Sequence, residues 1–292
     1  MVAVAYVTEL ANTVQGVVLS DIVSPAFVKT AVGLNSIARD NLPGRGQGNV
    51  KKIVKEGSIT ITNPNAESEP LAIASGSEYT ETSVSLTAAK ACVVQGISLE
   101  QTRFGTFDED KAKQVATEAI GRSVSNDIIG LASGFSNGVT ATNFLTIADL
   151  YTALFTIHNA NTPNQEVLPH FIASPRSVSK VKAEMASTGA TPWVNEMMLD
   201  ILVNLPATGG YMGRIPGLCE IYQTTGHATT GGDDQMPFMH PMWALAGMFD
   251  ALPEFWVTKR GAEGFYTEVA GAYFYDVLEV NDGAGVNVRG DS

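Results

Sequence analysis

Residues 106–134 read TFDEDKAKQVATEAIGRSVSNDIIGLASG and carry a long helical pattern. Thr106 and Glu109 match a capping box at the start, and Gly134 predicts a left-handed stop at the end. At 1.5 Å per residue the helix would be roughly 40 Å long, which predicts a spine with sheets laid on either side. The apolar residues recur every three or four positions along one face: Ala112, Val115, Ala116, Ala119, Ile120, Val124, Ile128, Leu131, Ala132 and Phe135.

The chain before this spine helix alternates with a period of two. Ile59 and Ile61 alternate with polar residues, as do Val84 and Leu86, so two strands are predicted within 51–90. A third strand, 91–99, leads into the spine. A two-stranded ribbon buries too little area to be stable in water by itself. We therefore expect something outside its own domain to cover it.

Residues 1–45 are predicted to form an arm. Their apolar residues fall at helical spacing until Pro25 stops the pattern. The stretch NLPGRGQGN at 41–49 has a proline and three glycines and is predicted to be a hinge.

After the spine, the pattern changes to alternating helices and a short strand. Thr146 is predicted to cap a helix, and Ser174 followed by Pro175 opens another one. In the first of these helices, four apolar residues are predicted to face inward: Ile147, Leu150, Leu154 and Phe155. Residues 146 to about 205 thus indicate an inserted second domain, with Thr191 and Pro192 opening its last helix.

From Met236 onward, short aromatic or β-branched runs return, separated by Pro253, Gly261 and a turn at 282–285. We expect these strands to complete the sheet begun before the spine. The first domain would then be discontinuous in sequence.

The composition excludes several classes of protein. With 18 basic and 30 acidic residues the net charge is −12, which disfavours direct wrapping of nucleic acid. Cys92 and Cys219 are far apart and predict two buried free thiols rather than a disulfide or zinc site. The apolar N-terminus is interrupted by Glu9 and has no basic residue before Lys29, so no secretory signal is predicted. No apolar run reaches membrane-spanning length, and a soluble chain is expected.

The motifs that could support catalysis do not assemble a site. GFSNG at 134–138 matches the G-x-S-x-G pattern around Ser136, but this turn follows a helix rather than a strand. His227, Asp233, Asp234 and His240 lack the spacing of prearranged metal ligands and favour a flexible acidic loop. No catalytic, cofactor-binding or metal site is therefore predicted.

The order of these parts resembles the major capsid proteins of tailed double-stranded-DNA bacteriophages, whose Hong-Kong-97-type fold is shared with encapsulins. The stretches most similar to the family are SVSLTAAKACVVQGISLEQTRF, VLPHFIASPRSVSKVKAEM and AYFYDVLEVNDGAGVNV. The resemblance implies an α+β fold with four parts: an N-terminal arm at 1–45, an extended β-hairpin loop at 46–90, a peripheral domain at 91–145 and 236–292 containing the spine helix, and an axial domain at 146–235.

The resemblance implies a structural protein rather than an enzyme, without a cofactor. Copies would form pentamers and hexamers that tile an icosahedral shell around phage DNA, in a virion assembled in the host cytoplasm. The chain opens directly on the arm, so the resemblance implies a separate scaffolding protein, unless a scaffolding segment was removed or omitted. It also implies a portal and, in some shells, decoration proteins. The loop and arm would contact neighbouring subunits through Leu71, Ala72, Ile73, Val14, Val17 and Val18.

Two alternatives remain open at this point. An encapsulin would use the same fold to enclose an enzyme cargo. A hydrolase would use Ser136 as its nucleophile and would be a discrete monomer or dimer.

Overall fold

The structure is a computed structural model of the 292-residue chain. It describes residues 27, 30–43, 48–56, 81–105, 109–141, 145–160, 167–187, 210–260 and 266–291. These ranges contain mixed helix and sheet. No helix within them is both long and apolar enough to cross a lipid bilayer.

The helices and strands of these ranges are numbered in chain order. The α-helices are α1 (Leu99–Phe104), α2 (Glu109–Leu131), α3 (Ile147–Asn159) and α4 (Pro175–Ser187). Short 3-10 turns lie at Val32–Ser36, Ala132–Gly134 and Asp282–Ala284. The strands are β1 (Ala38–Asn41), β2 (Val50–Glu56), β3 (Glu81–Thr87), β4 (Ala89–Ser98), β5 (Gly138–Thr140), β6 (His170–Ala173), β7 (Tyr211–Ile215), β8 (Cys219–Gln223), β9 (Ala228–Thr230), β10 (Asp233–Met239), β11 (Leu245–Phe249), β12 (Glu254–Arg260), β13 (Tyr266–Glu279) and β14 (Gly285–Asp291).

Helix α2 is the predicted spine. Its 23 residues give a length of about 35 Å. The predicted stripe is buried at most positions, although Val115 and Ala119 are exposed. The predicted left-handed stop at Gly134 is wrong, since this glycine does not have a positive φ. The helix instead tightens into the turn at 132–134, where the Ser133 hydroxyl donates to the Gly130 carbonyl at 2.7 Å. Thr106 lies outside the described residues.

Part of the predicted arm is packed against the spine. Phe27 and Leu34 lie in the core cluster that also contains Ile128 of the spine. The Gly33 amide donates to Ser125 Oγ at 3.3 Å. A Cβ on Gly121 would lie 2.2 Å from Thr30 Oγ1, so glycine in mid-helix allows this segment to approach closely. The apolar residues of 30–41 thus pack on the core of the subunit and help to cover the helix. The assignment of 1–45 as an arm stays a prediction.

Five strands form the first sheet. Strand β13 is central: β4 pairs along one edge, and β12 and then β11 pair along the other. Strand β1 adds to β11 in parallel. The spine packs on β13 and β4, so one face of this sheet is covered by the helix.

The second sheet has seven strands in the order β5-β14-β10-β6-β8-β7, with β9 beside β10. Helices α3 and α4 cover one face, and Ile172, Tyr222 and Met239 join the core around the spine. Strand β14 pairs with β10 and β5. The prediction that every strand after Met236 completes the first sheet is thus wrong for β14, because strand pairing depends on contacts distant in sequence. The domain boundaries stay a prediction.

The two helix caps predicted for 146 to about 205, at Thr146 and at Ser174, are confirmed. Thr146 and Asp149 form a reciprocal capping box on α3, and the Ser177 amide donates to Ser174 Oγ at 3.3 Å at the start of α4. Leu150 is fully buried as predicted. Phe155 is exposed instead, because Ala153 and Ile157 occupy the inward positions.

Shortening Ile128 to alanine is expected to lower the free energy of unfolding by about 3 kcal/mol. This side chain is fully buried in the core cluster that contains residues of both sheets, so its loss leaves a cavity. Val115→Ala on the exposed side of the same helix is the control and should cost less than about 1 kcal/mol. Denaturant unfolding of unassembled subunits measures both, and equal costs would contradict the assignment of the buried face.

Candidate assembly surfaces

The face of the first sheet that points away from the spine carries exposed apolar side chains. In the strand register Val94, Ala270 and Trp256 lie side by side across β4, β13 and β12. Residues directly opposite each other in antiparallel strands point to the same face. Val94 is 64% exposed and Trp256 is 49% exposed. We call this row the outer row.

The alternate residues point to the spine. Phe255 and Val257 of β12 pack against buried core residues, as does Val93 of β4. These strands therefore carry apolar side chains on both faces of the sheet, the face toward the spine and the face toward the outside. A strand apolar on both faces is normally buried on both.

The free edge of this sheet is a long one. Strand β4 is ten residues long and pairs only with β13 among the described strands. From Ala91 to Ser98 it carries no charged residue. Such an edge offers unpaired backbone groups to another chain.

The two cysteines differ in burial. Cys92, on β4, is exposed, so the prediction that both thiols are buried is wrong for it. Cys219 is buried, and burial raises the pKa of its thiol.

The base of the ribbon is tied to the body of the protein by polar contacts. The Thr87 amide donates to the Asp276 carboxylate at 2.6 Å, and Lys51 forms an ion pair with Asp40. The Lys51 ammonium holds the pKa of the Asp40 carboxyl below its usual range. Strands β2 and β3 are antiparallel from Val50 opposite Thr87 to Glu56 opposite Glu81. The second predicted strand of the ribbon is confirmed.

The six contact residues named from sequence lie outside the described residues. They are Leu71, Ala72 and Ile73 of the loop and Val14, Val17 and Val18 of the arm, and their role stays a prediction. Sequence reasoning missed the outer row. The available signal was the consecutive apolar residues Val93–Val94 and Phe255–Trp256–Val257, because consecutive apolar residues in a strand occupy both faces.

Ser136 does not have the surroundings of an esterase nucleophile. Its amide donates to Asp282 Oδ1 at 2.7 Å, and its hydroxyl donates to the other oxygen of the same carboxylate. The residue follows the turn at 132–134, as the sequence indicates, rather than a strand. This arrangement ties the end of the spine to the 282–284 turn.

The four residues considered as metal ligands do not form a cluster. Asp233 and Asp234 belong to a β-hairpin with β9, whose Gly231–Gly232 turn has positive φ at both residues, so the predicted flexible loop is wrong. His227 Nδ1 lies 3.2 Å from the Gln235 carbonyl, whereas His240 is buried and accepts from the Met242 amide. The described ranges hold no group of three or more potential ligands.

A polar cluster joins the 32–36 turn to the second sheet. His170 Nδ1 lies 3.2 Å from Ser36 Oγ, and Nε2 lies 3.4 Å from Glu220. The Tyr222 hydroxyl donates to the same carboxylate at 3.2 Å. Burial lowers the pKa of His170, and Glu220 opposes this shift only in part. His170 therefore fits this cluster best as a neutral imidazole.

Acidification is expected to lower the free energy of unfolding of the subunit through protonation of His170. The pKa of His170 is lower in the folded than in the unfolded state, so its contribution to the free energy of unfolding is fully present above about pH 6.5. This contribution is lost as the pH falls through the pKa of the folded state. His227, whose pKa burial also lowers, acts in the same direction. In His170→Asn the dependence of the unfolding free energy on pH between 7 and 5 should become shallower, by up to about 1.4 kcal/mol per pH unit. An unchanged slope would contradict this.

Comparison with known proteins identifies the fold. No protein-family model matches the chain, and no curated protein matches its sequence. Solved structures do match. The capsid of Ralstonia phage GP4 aligns with a TM-score of 0.62 at 10% identity, covering 88% of this chain and 87% of its own. A structure of Mycobacterium phage Che8 gives 0.60 at 16% identity, covering 83% and 85%.

A third match is not a phage protein. The holo-SrpI encapsulin complex from Synechococcus elongatus PCC 7942 aligns with a TM-score of 0.58 at 10% identity, covering 86% of this chain and 84% of its own. The alignments span most of each chain, although only 10–16% of the residues are identical. The chain therefore has the Hong-Kong-97-type capsid fold that its sequence predicted.

Proposed function

We propose that this chain is the major capsid protein of a tailed double-stranded-DNA phage. Its copies assemble as pentamers and hexamers into an icosahedral shell that encloses the genome. The observation that carries the proposal is the outer row, in which Val94 and Trp256 leave apolar area exposed, on a fold shared with the capsid of Ralstonia phage GP4. In a shell a neighbouring copy covers this area.

The ribbon supports the same proposal. Strands β2 and β3 form a separate two-stranded sheet, and two strands alone are marginal in water. A neighbouring subunit supplies the missing contact when the ribbon lies across it. The apolar stretch at 71–74, between the two strands in sequence, is the part of the ribbon that we expect to be buried there.

The charge of the chain fits a container for DNA rather than a DNA-binding protein. The net charge is −12, and residues 233–292 contain ten acidic and three basic residues. An acidic inner wall repels the phosphates and leaves the duplex free to move. A shell whose inner wall proved basic would contradict this part of the proposal.

The encapsulin match favours a second candidate function, a shell around a protein cargo. The two kinds of shell differ in what they enclose, which is DNA in the first and a protein in the second. The hydrolase alternative has weaker support, because the Ser136 hydroxyl faces a carboxylate instead of an imidazole.

The test is expression of the full chain alone and with the products of its neighbouring genes, followed by electron microscopy and size-exclusion chromatography. Hollow particles tens of nanometres across are expected. If particles purified from the producing cells protect double-stranded DNA from nuclease, the capsid function is supported. If the particles co-purify with an enzyme, the encapsulin function is supported. A monomer or dimer under all conditions would contradict both.

A further inference from the structure

A groove of about 600 Å³ lies between the spine and the start of strand β4. We call it the β4 groove. The residues that line it include Ala89 and Ala91 of β4 and, on the spine, Ser123, Asp127 and Gly130. The three spine residues follow one another at intervals of four and three positions, so they lie along one stripe of the helix, about 10 Å long. A Cβ on Gly130 would meet nothing within 4 Å, so the groove has room for a further side chain.

The groove lies at a strand edge that is open to a partner. Strand β4 pairs only with β13 among the described strands. An extended peptide can add to such an edge, where backbone hydrogen bonds supply affinity and alternate side chains enter neighbouring pockets. Ala89 and Ala91 alternate in phase with Val93, which faces the spine. An added strand would therefore direct every second side chain to the spine side of the sheet, where the groove lies.

The groove has a carboxylate on its spine side. Asp127 Oδ2 accepts the Tyr275 hydroxyl. Burial and this contact raise the pKa of Tyr275 to about 12, so the phenol stays a donor. The two other charged residues of the lining, Lys90 and Asp276, have opposite charges that offset each other. Because a carboxylate accepts several hydrogen bonds, Asp127 can also accept an ammonium or guanidinium group. The groove is thus complementary in charge to a basic side chain.

The predicted arm and loop of another copy do not carry such a side chain. Residues 1–26 and 57–80 contain five acidic residues and no lysine or arginine. Strand β2 is basic, but pairing with β3 and the ion pair between Lys51 and Asp40 hold it within its own subunit. The groove therefore suits a basic segment of another protein better than a segment of a second copy.

We propose that the β4 groove binds an extended basic segment of a second protein. The segment adds to the free edge of β4 as a sixth strand of the first sheet and places a lysine or arginine beside Asp127. Backbone hydrogen bonds hold the segment, and the ion pair selects for its charge. A nucleic acid does not fit this site, because the carboxylate repels phosphates. The site goes beyond the proposed function, which concerns contacts between copies of one chain, and does not depend on it.

Binding of a defined peptide to the unassembled, full-length subunit tests the inference. The probe is a fluorescein-labelled heptapeptide that alternates threonine and valine, with lysine in place of the central valine. A peptide with glutamate at that position is the control. Fluorescence anisotropy should show at least about tenfold tighter binding of the lysine peptide. Equal affinities, or no binding of the lysine peptide at about 1 mM, would overturn the inference.

Two substitutions inside the groove and one outside it locate the site. Asp127→Asn removes the charge but keeps an acceptor for the Tyr275 hydroxyl, and Gly130→Gln fills the groove with a side chain that suits a helix. Each should weaken binding of the lysine peptide at least about fivefold. Glu100→Gln removes an exposed charge from α1 and should leave the affinity unchanged. If all three variants unfold at the wild-type temperature or above and bind equally well, the inference fails.

Two further readouts distinguish strand addition from other modes of binding. At saturating lysine peptide, hydrogen exchange of the backbone amides in 89–98 should slow at least about tenfold, and unchanged exchange there would overturn the inference. Subunits that assemble with the peptide bound should give particles that retain it. Particles that exclude the peptide would show that another copy fills the groove, which would overturn the inference and leave the proposed function intact. A chain that forms no shells would refute the proposed function, while the binding and exchange measurements would still decide this inference.

Discussion

Replacing Trp256 with glutamate is expected to abolish shell assembly while the subunit stays folded. The indole lies on the side of β12 opposite the core residues Phe255 and Val257, next to Ala270 and in line with Val94. A carboxylate there would be buried without a partner when a neighbour covers the face, at a cost of several kcal/mol per contact. Since about 3 kcal/mol corresponds to more than a hundredfold in an equilibrium constant, few particles should form.

Trp256→Phe is the matched control, because it keeps an aromatic side chain at the same place. Particle yield by sedimentation and the unfolding midpoint of the free subunit are measured for both variants. We expect the control to assemble and both subunits to unfold at similar temperatures. Shells of normal yield from Trp256→Glu would remove the outer row from the interface.

Deleting residues 63–76 is expected to have an equally large effect on assembly. The deletion leaves both paired strands, β2 and β3, and every core residue of the described structure in place. The unassembled subunit should therefore unfold within a few degrees of the wild type. Shells should not close, because the part of the ribbon that we propose covers the neighbour is missing. Electron microscopy and thermal unfolding measure the two properties separately.

A full-length double variant, Leu71→Ser with Ile73→Ser, separates the length of the ribbon from its chemistry. We expect it to reproduce the assembly defect, because the hydroxyl groups cannot replace the apolar contact. Normal particles from the deletion would refute the assigned role of the ribbon. Normal particles from the double variant alone would show that reach rather than apolar burial is what the shell requires.

The features that the sequence predicted correctly are those determined by neighbouring residues. The capping pairs Thr146–Asp149 and Ser174–Ser177 each act within one turn, and the structure confirms both helix starts. The spine follows from a repeated spacing over six turns. Such signals need no knowledge of the rest of the chain.

The features that were missed depend on contacts distant in sequence. Strand β14 joins the second sheet because β10 lies there to pair with it, and the 30–36 segment joins the core because Gly121 leaves room for it. Phe155 was predicted to be inward because it is apolar. Its exposure could not be foreseen from its apolar character, because an exposed apolar surface can have the same composition as a core.

One residue, Ala88, separates the ribbon from the first sheet, and its amide donates to the Asn49 carbonyl at 2.9 Å. The seven paired residues of each strand extend about 23 Å from this point. A rotation of 10° at Ala88 would therefore move the far end of β2 by about 4 Å. In the shell that we propose, such a rotation would let one sequence contact its neighbours at more than one angle, so that pentamers and hexamers of different curvature could be built from one subunit body.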